Sequence, residues 1–166
     1  MTLRILGIDP GLRRTGWGII DIFGNSAKPV ECGVITSASD DDLGGRLRSI
    51  FKGLCDVIDQ YSPNEAAVEE TFVNKNPEST LKLGMARGVA VLSPASKGIS
   101  VFEYSANKVK KSIVGNGHAS KDQVAMMVSR LLPTLGEISG DAADALAIAL
   151  THSHYRSFEE LKIRAS

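Results

Sequence analysis

The chain has 166 residues, of which 43% are apolar and 23% charged, and this composition fits one globular domain with a sizeable core. No apolar run reaches the length of a transmembrane helix, so a membrane-spanning protein is excluded. The N-terminal segment "MTLRIL" shows no secretory signal, and two distant cysteines, Cys32 and Cys55, favour free thiols in a reducing compartment. We therefore expect a cytoplasmic protein.

The net charge of zero conceals an uneven distribution. Residues 1–70 carry 7 basic and 11 acidic side chains, residues 71–130 carry 9 and 3, and residues 131–166 carry 3 and 5. A basic middle segment between acidic ends produces a local positive field, which raises the expectation of a nucleic-acid partner modestly. A solvated helix face would give the same pattern.

Periodicity and turn residues predict ten elements in the order β-β-β-α-β-α-β-α-α-α. They lie at about residues 3–9, 15–24, 29–36, 43–58, 63–70, 77–92, 98–105, 106–114, 119–132 and 140–155. The first three strands predict an antiparallel meander, and Gly16 and Gly18 predict close packing against a neighbour. The whole order predicts an α/β fold, a mixed five-stranded sheet with helices on both faces. We expect one domain over 1–155 and a short C-terminal tail over 156–166.

The first strand ends in "GIDPG", where a carboxylate follows directly on an apolar run. Asp9 would be held rigidly at the strand tip, and Pro10-Gly11 turns the chain away. Asp often caps such a turn without any further role, so this segment alone leaves a functional and a structural interpretation equally open.

Three further carboxylates are candidates for the same site. Glu69 and Glu70 end the fourth strand, and because strand side chains alternate, only one of them is expected to join Asp9. Asp141 and Asp144 lie three residues apart at a helix start and share one face. Helix capping explains one aspartate there better than two.

Four converging carboxylates, Asp9, Glu69, Asp141 and Asp144, would repel one another unless a cation neutralises them. Oxygen ligands of this kind suit Mg²⁺ or Mn²⁺ rather than zinc. Two ions roughly 3.5–4 Å apart would activate a water molecule and stabilise the leaving oxygen of a phosphodiester. The residues thus point to metal-dependent phosphodiester hydrolysis.

Four ordered motifs resemble the RuvC family of bacterial Holliday-junction resolvases. They are "GIDPG", "AVEETF", "LKLGMARGVA" with "VFEYSANKVKKSIVGNGHASKDQV", and "DAADALAIALTH", and they span about residues 3–154. "GIDPG" alone would be weak, since actin-like ATPases begin similarly, but such proteins need two large lobes that this chain is too short to supply.

The resemblance implies a ribonuclease H-like fold and a homodimer that nicks four-way DNA junctions in recombination and repair with Mg²⁺. It also implies the partner proteins RuvA and RuvB and a bacterial cytoplasmic location, and it maps the catalytic carboxylates onto Asp9, Glu69, Asp141 and Asp144. Glu70 departs from the family, in which this position is often uncharged. A junction-binding module without catalysis and a related nuclease acting on RNA or duplex DNA remain the alternatives.

The resemblance also gives the basic middle segment a role in DNA binding. Phe72 lies in "EETFVNKN", where an exposed aromatic ring would stack on an unpaired base, although core packing is the alternative. The family's lysines near the cleaved strand correspond to Lys110, Lys111 and Lys121, with a solvated face more plausible for Lys111. Charge alone suggests phosphate contacts for three further residues, Lys75, Lys82 and Arg87.

The helix at 77–92 is the expected dimer surface. It carries more apolar side chains than one sheet face requires, and Gly84 and Gly88 permit close helix approach. Ala86 is expected on its outward face. A simple core helix is the alternative.

Overall fold

The computed structural model describes residues 2–73, 75–136 and 138–165, the last nine of them as backbone only. It contains the ten predicted elements in the predicted order. The strands are β1 Leu3–Asp9, β2 Arg14–Phe23, β3 Ser26–Thr36, β4 Glu65–Glu69 and β5 Ser100–Tyr104. The helices are α1 Leu43–Tyr61, α2 Pro77–Ser96, α3 Ala106–Val114, α4 Lys121–Leu131 and α5 Gly140–Ala165.

The five strands form one mixed sheet in the order β3-β2-β1-β4-β5. Strands β1, β2 and β3 form the antiparallel meander, while β4 pairs in parallel with both β1 and β5. The carboxyl ends of β1, β4 and β5 therefore lie at one edge of the sheet, where ligand sites of such sheets are found.

Helices cover both faces of the sheet, as predicted. Helices α1 and α2 pack on the face that presents Leu6, Ile19 and Val68. Helices α3, α4 and α5 pack on the other face, around Ile5 and Ala67. The sheet thus separates two apolar layers, and the odd-numbered side chains of β1 and β4 point toward α5.

Glycines let α5 lie directly on the strands. A Cβ atom added to Gly7 would collide with the backbone of Ala145, and one added to Gly16 would collide with the backbone of Asp141. Gly18 makes the same close approach to Leu146. The predicted close packing of Gly16 and Gly18 is confirmed, and it brings the start of α5 to the carboxyl end of β1.

Helix α5 runs to Ala165, beyond the predicted end near residue 155. Residues 155–165 contain no glycine or proline and are rich in helix-forming Glu, Leu, Lys and Arg, so nothing in them stops the helix. The division into a domain over 1–155 and a tail over 156–166 stays a prediction, and Ser166 lies outside the described residues. Within the described residues, no helix is both long and apolar enough to cross a membrane.

Candidate active site

Asp9 and Glu69 lie side by side at the ends of neighbouring parallel strands. The register pairs Ile8 with Val68, so the next residue of each strand is the acidic one, and both point to the α5 face. Glu70 is the next residue, so alternation directs its side chain away from Asp9. Its backbone N–H donates a hydrogen bond to the Tyr104 carbonyl over 2.9 Å. The alternation argument thus favours Glu69 over Glu70.

Asp144 comes to the same place from the first turns of α5. The capping interaction of this helix is supplied by another residue, because the Ser139 hydroxyl accepts a hydrogen bond from the Ala142 N–H over 3.3 Å. Capping therefore does not account for either aspartate of the pair. Asp141 lies one turn earlier, and its Oδ2 accepts a hydrogen bond from Arg14 Nε over 2.6 Å.

Asp9, Glu69 and Asp144 line a cleft of about 190 Å³ at the sheet edge. Its polar lining is made of three acids and two bases, namely Asp9, Glu69, Asp144, Lys110 and Lys121. Apolar side chains of α3, α4 and α5 complete its wall. Lys121 Nζ lies 3.5 Å from Asp144 Oδ2 and is otherwise largely exposed. Asp141 is not part of this lining, so the structure brings together three of the four predicted carboxylates.

Burial and mutual repulsion make the cleft a poor place for anionic carboxylates. Burial, followed by the charges of Glu69 and Asp144, raises the pKa of Asp9 to about 8, and the Asp9 carboxyl shares a hydrogen bond with Glu69. Burial also raises the pKa of Glu69, and that of Asp144 despite the opposing charge of Lys121. A cation in the cleft would relieve all three penalties at once.

The donor set fits Mg²⁺ or Mn²⁺, because every candidate ligand is a carboxylate oxygen. Across the described ranges, however, no three acidic, histidine or cysteine side chains are already arranged to hold a metal ion.

Phe72 lies three residues beyond Glu69 and is 57% exposed, as expected for an exposed loop. Its neighbour Val73 is 87% exposed, a feature that the sequence interpretation missed. Lys75 is exposed in the same segment. Core packing therefore does not explain Phe72, and this segment offers apolar and basic groups next to the acidic cleft.

The other predicted DNA contacts are dispersed. Lys111 lines a separate cavity with Ser112, His154 and Tyr155, and Lys110 alone of this lysine pair faces the cleft. On α2, Lys82 pairs with Glu78 at 2.6 Å, and Arg87 pairs with Glu103 at 2.6 Å. DNA contacts by Lys82, Arg87, Lys110 and Lys111 stay predictions. Of these four residues, Lys110 is the one that lines the acidic cleft.

A buried hydrogen-bonded network, which sequence reasoning missed, supports the sheet beside the cleft. His152 is 2% exposed; its Nδ1 is 2.8 Å from the Tyr104 hydroxyl, and its Nε2 is 2.7 Å from Glu65 Oε2. Tyr104 is the register partner of Glu69. The network thus ties β5 and α5 to β4 next to the strand end that carries Glu69, and burial lowers the pKa of His152. The signal available in the sequence was a histidine in the apolar run of α5.

Known proteins match the chain over nearly its whole length. The sequence model of the family "Crossover junction endodeoxyribonuclease RuvC" matches residues 5–152. A protein of that name from Bradyrhizobium diazoefficiens is 56% identical over 98% of this chain and 93% of its own. One from Bartonella henselae is 56% identical over 93% of this chain and 92% of its own.

A solved structure supports the same assignment. The structure described as T. thermophilus RuvC in complex with Holliday junction substrate superposes with a TM-score of 0.87 at 31% identity, covering 95% of this chain and 96% of that one. The ribonuclease H-like fold expected from the resemblance is confirmed. On its motifs, its fold and its similarity to these proteins, the chain belongs to the RuvC family of crossover junction endodeoxyribonucleases.

Proposed function

We propose that the chain resolves four-way DNA junctions in recombination and repair as a homodimer, by paired, Mg²⁺-dependent hydrolysis of phosphodiester bonds, with Mn²⁺ able to substitute. The observation that carries the proposal is the convergence of Asp9, Glu69 and Asp144 in one cleft of a chain from a junction endonuclease family. A pure DNA-binding module would gain nothing from three carboxylates that repel phosphates.

The acidic residues would hold the cations, and the lysines would hold the DNA strand. Asp9, Glu69 and Asp144 would be the ligands in the cleft, with Asp141 as a fourth on the same helix face. When bound, the two ions would activate a water molecule and stabilise the leaving oxygen. Lys110 and Lys121 line the same cleft, where their charges attract the phosphate that the carboxylates repel.

The segment after β4 would hold the unpaired part of the junction. Phe72 has an exposed aromatic face within three residues of Glu69, the arrangement in which a base can stack on it. Val73 extends the apolar surface, and Lys75 adds a positive charge for the adjacent phosphate. Junction selectivity would arise here, because ordinary duplex DNA offers no unstacked base.

The exposed face of α2 would form the dimer interface. Leu81, Met85 and Leu92 are 66%, 45% and 56% exposed and recur at helical spacing. Gly84 and Gly88 lie between them, and a Cβ atom added to either would meet no neighbouring atom, so a second helix can approach closely. Ala86 is fully buried in the core, so its expected outward position is wrong.

The partner prediction rests on the family resemblance alone. Coupling to the branch-migration proteins RuvA and RuvB would follow from action on recombination intermediates. The same role would place the chain in the bacterial cytoplasm.

The decisive experiment separates cleavage from binding. We expect Glu69→Gln, Asp9→Asn and Asp144→Asn to reduce cleavage of a labelled four-way junction by orders of magnitude while junction binding is kept or slightly tightened, because repulsion of phosphates falls. Cleavage is measured on denaturing gels with Mg²⁺, Mn²⁺ or EDTA, and binding by fluorescence anisotropy without metal. Linear duplex DNA and an RNA hairpin serve as competing substrates.

Glu70→Gln is the matched control, because it removes the same charge from the adjacent position that faces away from Asp9. It should leave most of the activity. An essential Glu70 with a dispensable Glu69 would reverse the assignment, cleavage in EDTA would exclude the metal mechanism, and preferred cleavage of RNA or duplex would overturn the substrate.

A further inference from the structure

Asp141 is held by an ion pair next to the cleft. Arg14 opens β2, and its Nε lies 2.6 Å from Asp141 Oδ2 in the first turn of α5. Both side chains are partly exposed, 50% for Arg14 and 34% for Asp141. The described lining of the cleft includes Asp9, Glu69 and Asp144 but not Asp141.

The backbone at this point has little freedom to move. Gly16 touches the Asp141 backbone so closely that a Cβ atom would not fit, which fixes the start of α5 on β2. Ser139 supplies the helix cap, so the Asp141 carboxylate is not needed for capping. Whether Asp141 reaches the cleft is therefore decided by its side chain, and the contact that holds this side chain is Arg14.

A solvent-exposed ion pair contributes little to stability, so it can exchange partners at low cost. A carboxylate has about four lone-pair sites, so the ion pair does not saturate Asp141. The paired carboxylate instead lies outside the described lining of the cleft, so Arg14 and a cation in the cleft compete for the position of the Asp141 side chain.

We propose that Arg14 is a positioning residue that competes with the catalytic cation for Asp141 and so sets the cation concentration at which the site fills. The proposal deepens the proposed function and rests on it, because it takes the cleft to be the cation site. It predicts that the free protein binds its cation more weakly than four uncommitted carboxylates would.

The test is direct titration of Mn²⁺ into the full chain without DNA, followed by calorimetry or by the electron paramagnetic resonance signal of free Mn²⁺. The variants are Arg14→Ala, Asp141→Asn and the double variant. Arg14→Ala should tighten Mn²⁺ binding about two- to fivefold, the range of an exposed ion pair. The same change in the Asp141→Asn background should have no effect, because the competed carboxylate is absent.

This cycle separates competition from general charge. Removing any nearby positive charge would also favour a cation, but that effect would persist in the Asp141→Asn background. Arg13→Ala is the matched control at the preceding residue; Arg13 is exposed, and its substitution should change Mn²⁺ binding less than Arg14→Ala. Thermal unfolding of each variant verifies the fold.

Equal tightening in both backgrounds, or no tightening at all, would overturn the role of Arg14 while leaving the cation site in place. Weaker binding in Arg14→Ala would also overturn it, since Arg14 would then hold Asp141 ready for the metal. Mn²⁺ binding that is unaffected by Glu69→Gln would instead show that the cation is not in this cleft, and the proposed function would fail with it.

Discussion

At the scale of single residues, Asp9 places a carboxylate that would bind a cation where burial destabilises its charged form. Its carboxyl is partly buried between Glu69 and Asp144, which favours the protonated form. A cleft that gathers carboxylates is destabilised when no cation neutralises them. The free energy of unfolding of the metal-free protein should therefore depend on pH through the ionisation of Asp9.

We expect the metal-free protein to lose stability as the pH rises from about 4 to about 8. The pKa of Asp9 is raised from 3.8 to about 8 in the folded state, so over this interval the folded chain retains a proton that the unfolded chain has released. Asp9→Asn should therefore raise the free energy of unfolding at pH 8.5 by on the order of 2 kcal/mol, with little change at pH 4.

Urea unfolding in EDTA at several pH values measures this difference. Glu70→Gln serves as the control, and it should reproduce the pH profile of the wild type. A wild-type profile as flat as that of Asp9→Asn would show that the Asp9 carboxyl is not destabilised in the folded protein.

Substitutions of Phe72 test whether its ring stacks on an unpaired base. Phe72→Ala should weaken junction cleavage by roughly 1–3 kcal/mol, the contribution of one base stacked on an aromatic ring, while Phe72→Trp retains most activity. Because the ring is 57% exposed, the melting temperature should hardly change. Single-turnover kinetics on junctions and calorimetric melting provide the two measurements, and a fall of several degrees in Phe72→Ala would support a core role instead.

At the scale of elements, the docking of α5 on β1 determines whether Asp144 reaches Asp9. Gly7 is the critical contact, since a methyl group there would collide with the backbone of Ala145 and with Ala149. Helix and strand would have to separate, and the side chains that converge on the cleft would separate with them.

Gly7→Ala should destabilise the protein by roughly 1–3 kcal/mol or more, as overpacking of a tight interface does, and should reduce cleavage more than junction binding. Gly140→Ala is the control on α5, because its added methyl group meets no neighbouring atom. Chemical denaturation compares the two. A Gly7→Ala protein as stable as Gly140→Ala would mean that α5 can shift freely on the sheet.

At the scale of the whole molecule, the proposed active site and the proposed dimer surface lie on opposite faces of the sheet. The cleft lies on the face covered by α3, α4 and α5, and the exposed apolar stripe of α2 lies beyond the other face. A two-fold dimer through α2 would give two identical sites, which matches the near two-fold symmetry of a four-way junction.

Met85→Glu should convert the proposed dimer to a monomer without unfolding the chain, because Met85 is 45% exposed on the apolar face of α2. Met126→Glu on α4 is the matched control, since that methionine is 49% exposed away from α2. Sedimentation velocity at micromolar concentration reports the mass. A monomeric wild-type chain that makes paired nicks at ordinary rates would exclude a preformed dimer.

The features that could be predicted from the sequence alone are those set by the local periodicity of apolar residues. The ten elements and the sheet composition follow from alternation along strands and spacing along helices. Alternation also predicts that only one of Glu69 and Glu70 joins Asp9, but the register of β1 and β4 is needed to tell which one. The Arg14–Asp141 pair could not be predicted, because its partners are 127 residues apart and nothing local links them. The outward position expected for Ala86 was wrong, because a small side chain fits either the core or an interface and only the rotation of α2 decides.

The cleft is lined by residues that lie far apart in the chain. Asp9 belongs to β1, whereas Asp144 belongs to α5, so the site requires contacts across more than a hundred residues. Such contacts form late, since loop closure must precede them. A chain still being synthesised on the ribosome would hold Asp9 and then Glu69 without Asp144. With Asp144 in its proposed role, an incomplete nascent chain would be unable to cut the DNA of the cell that makes it.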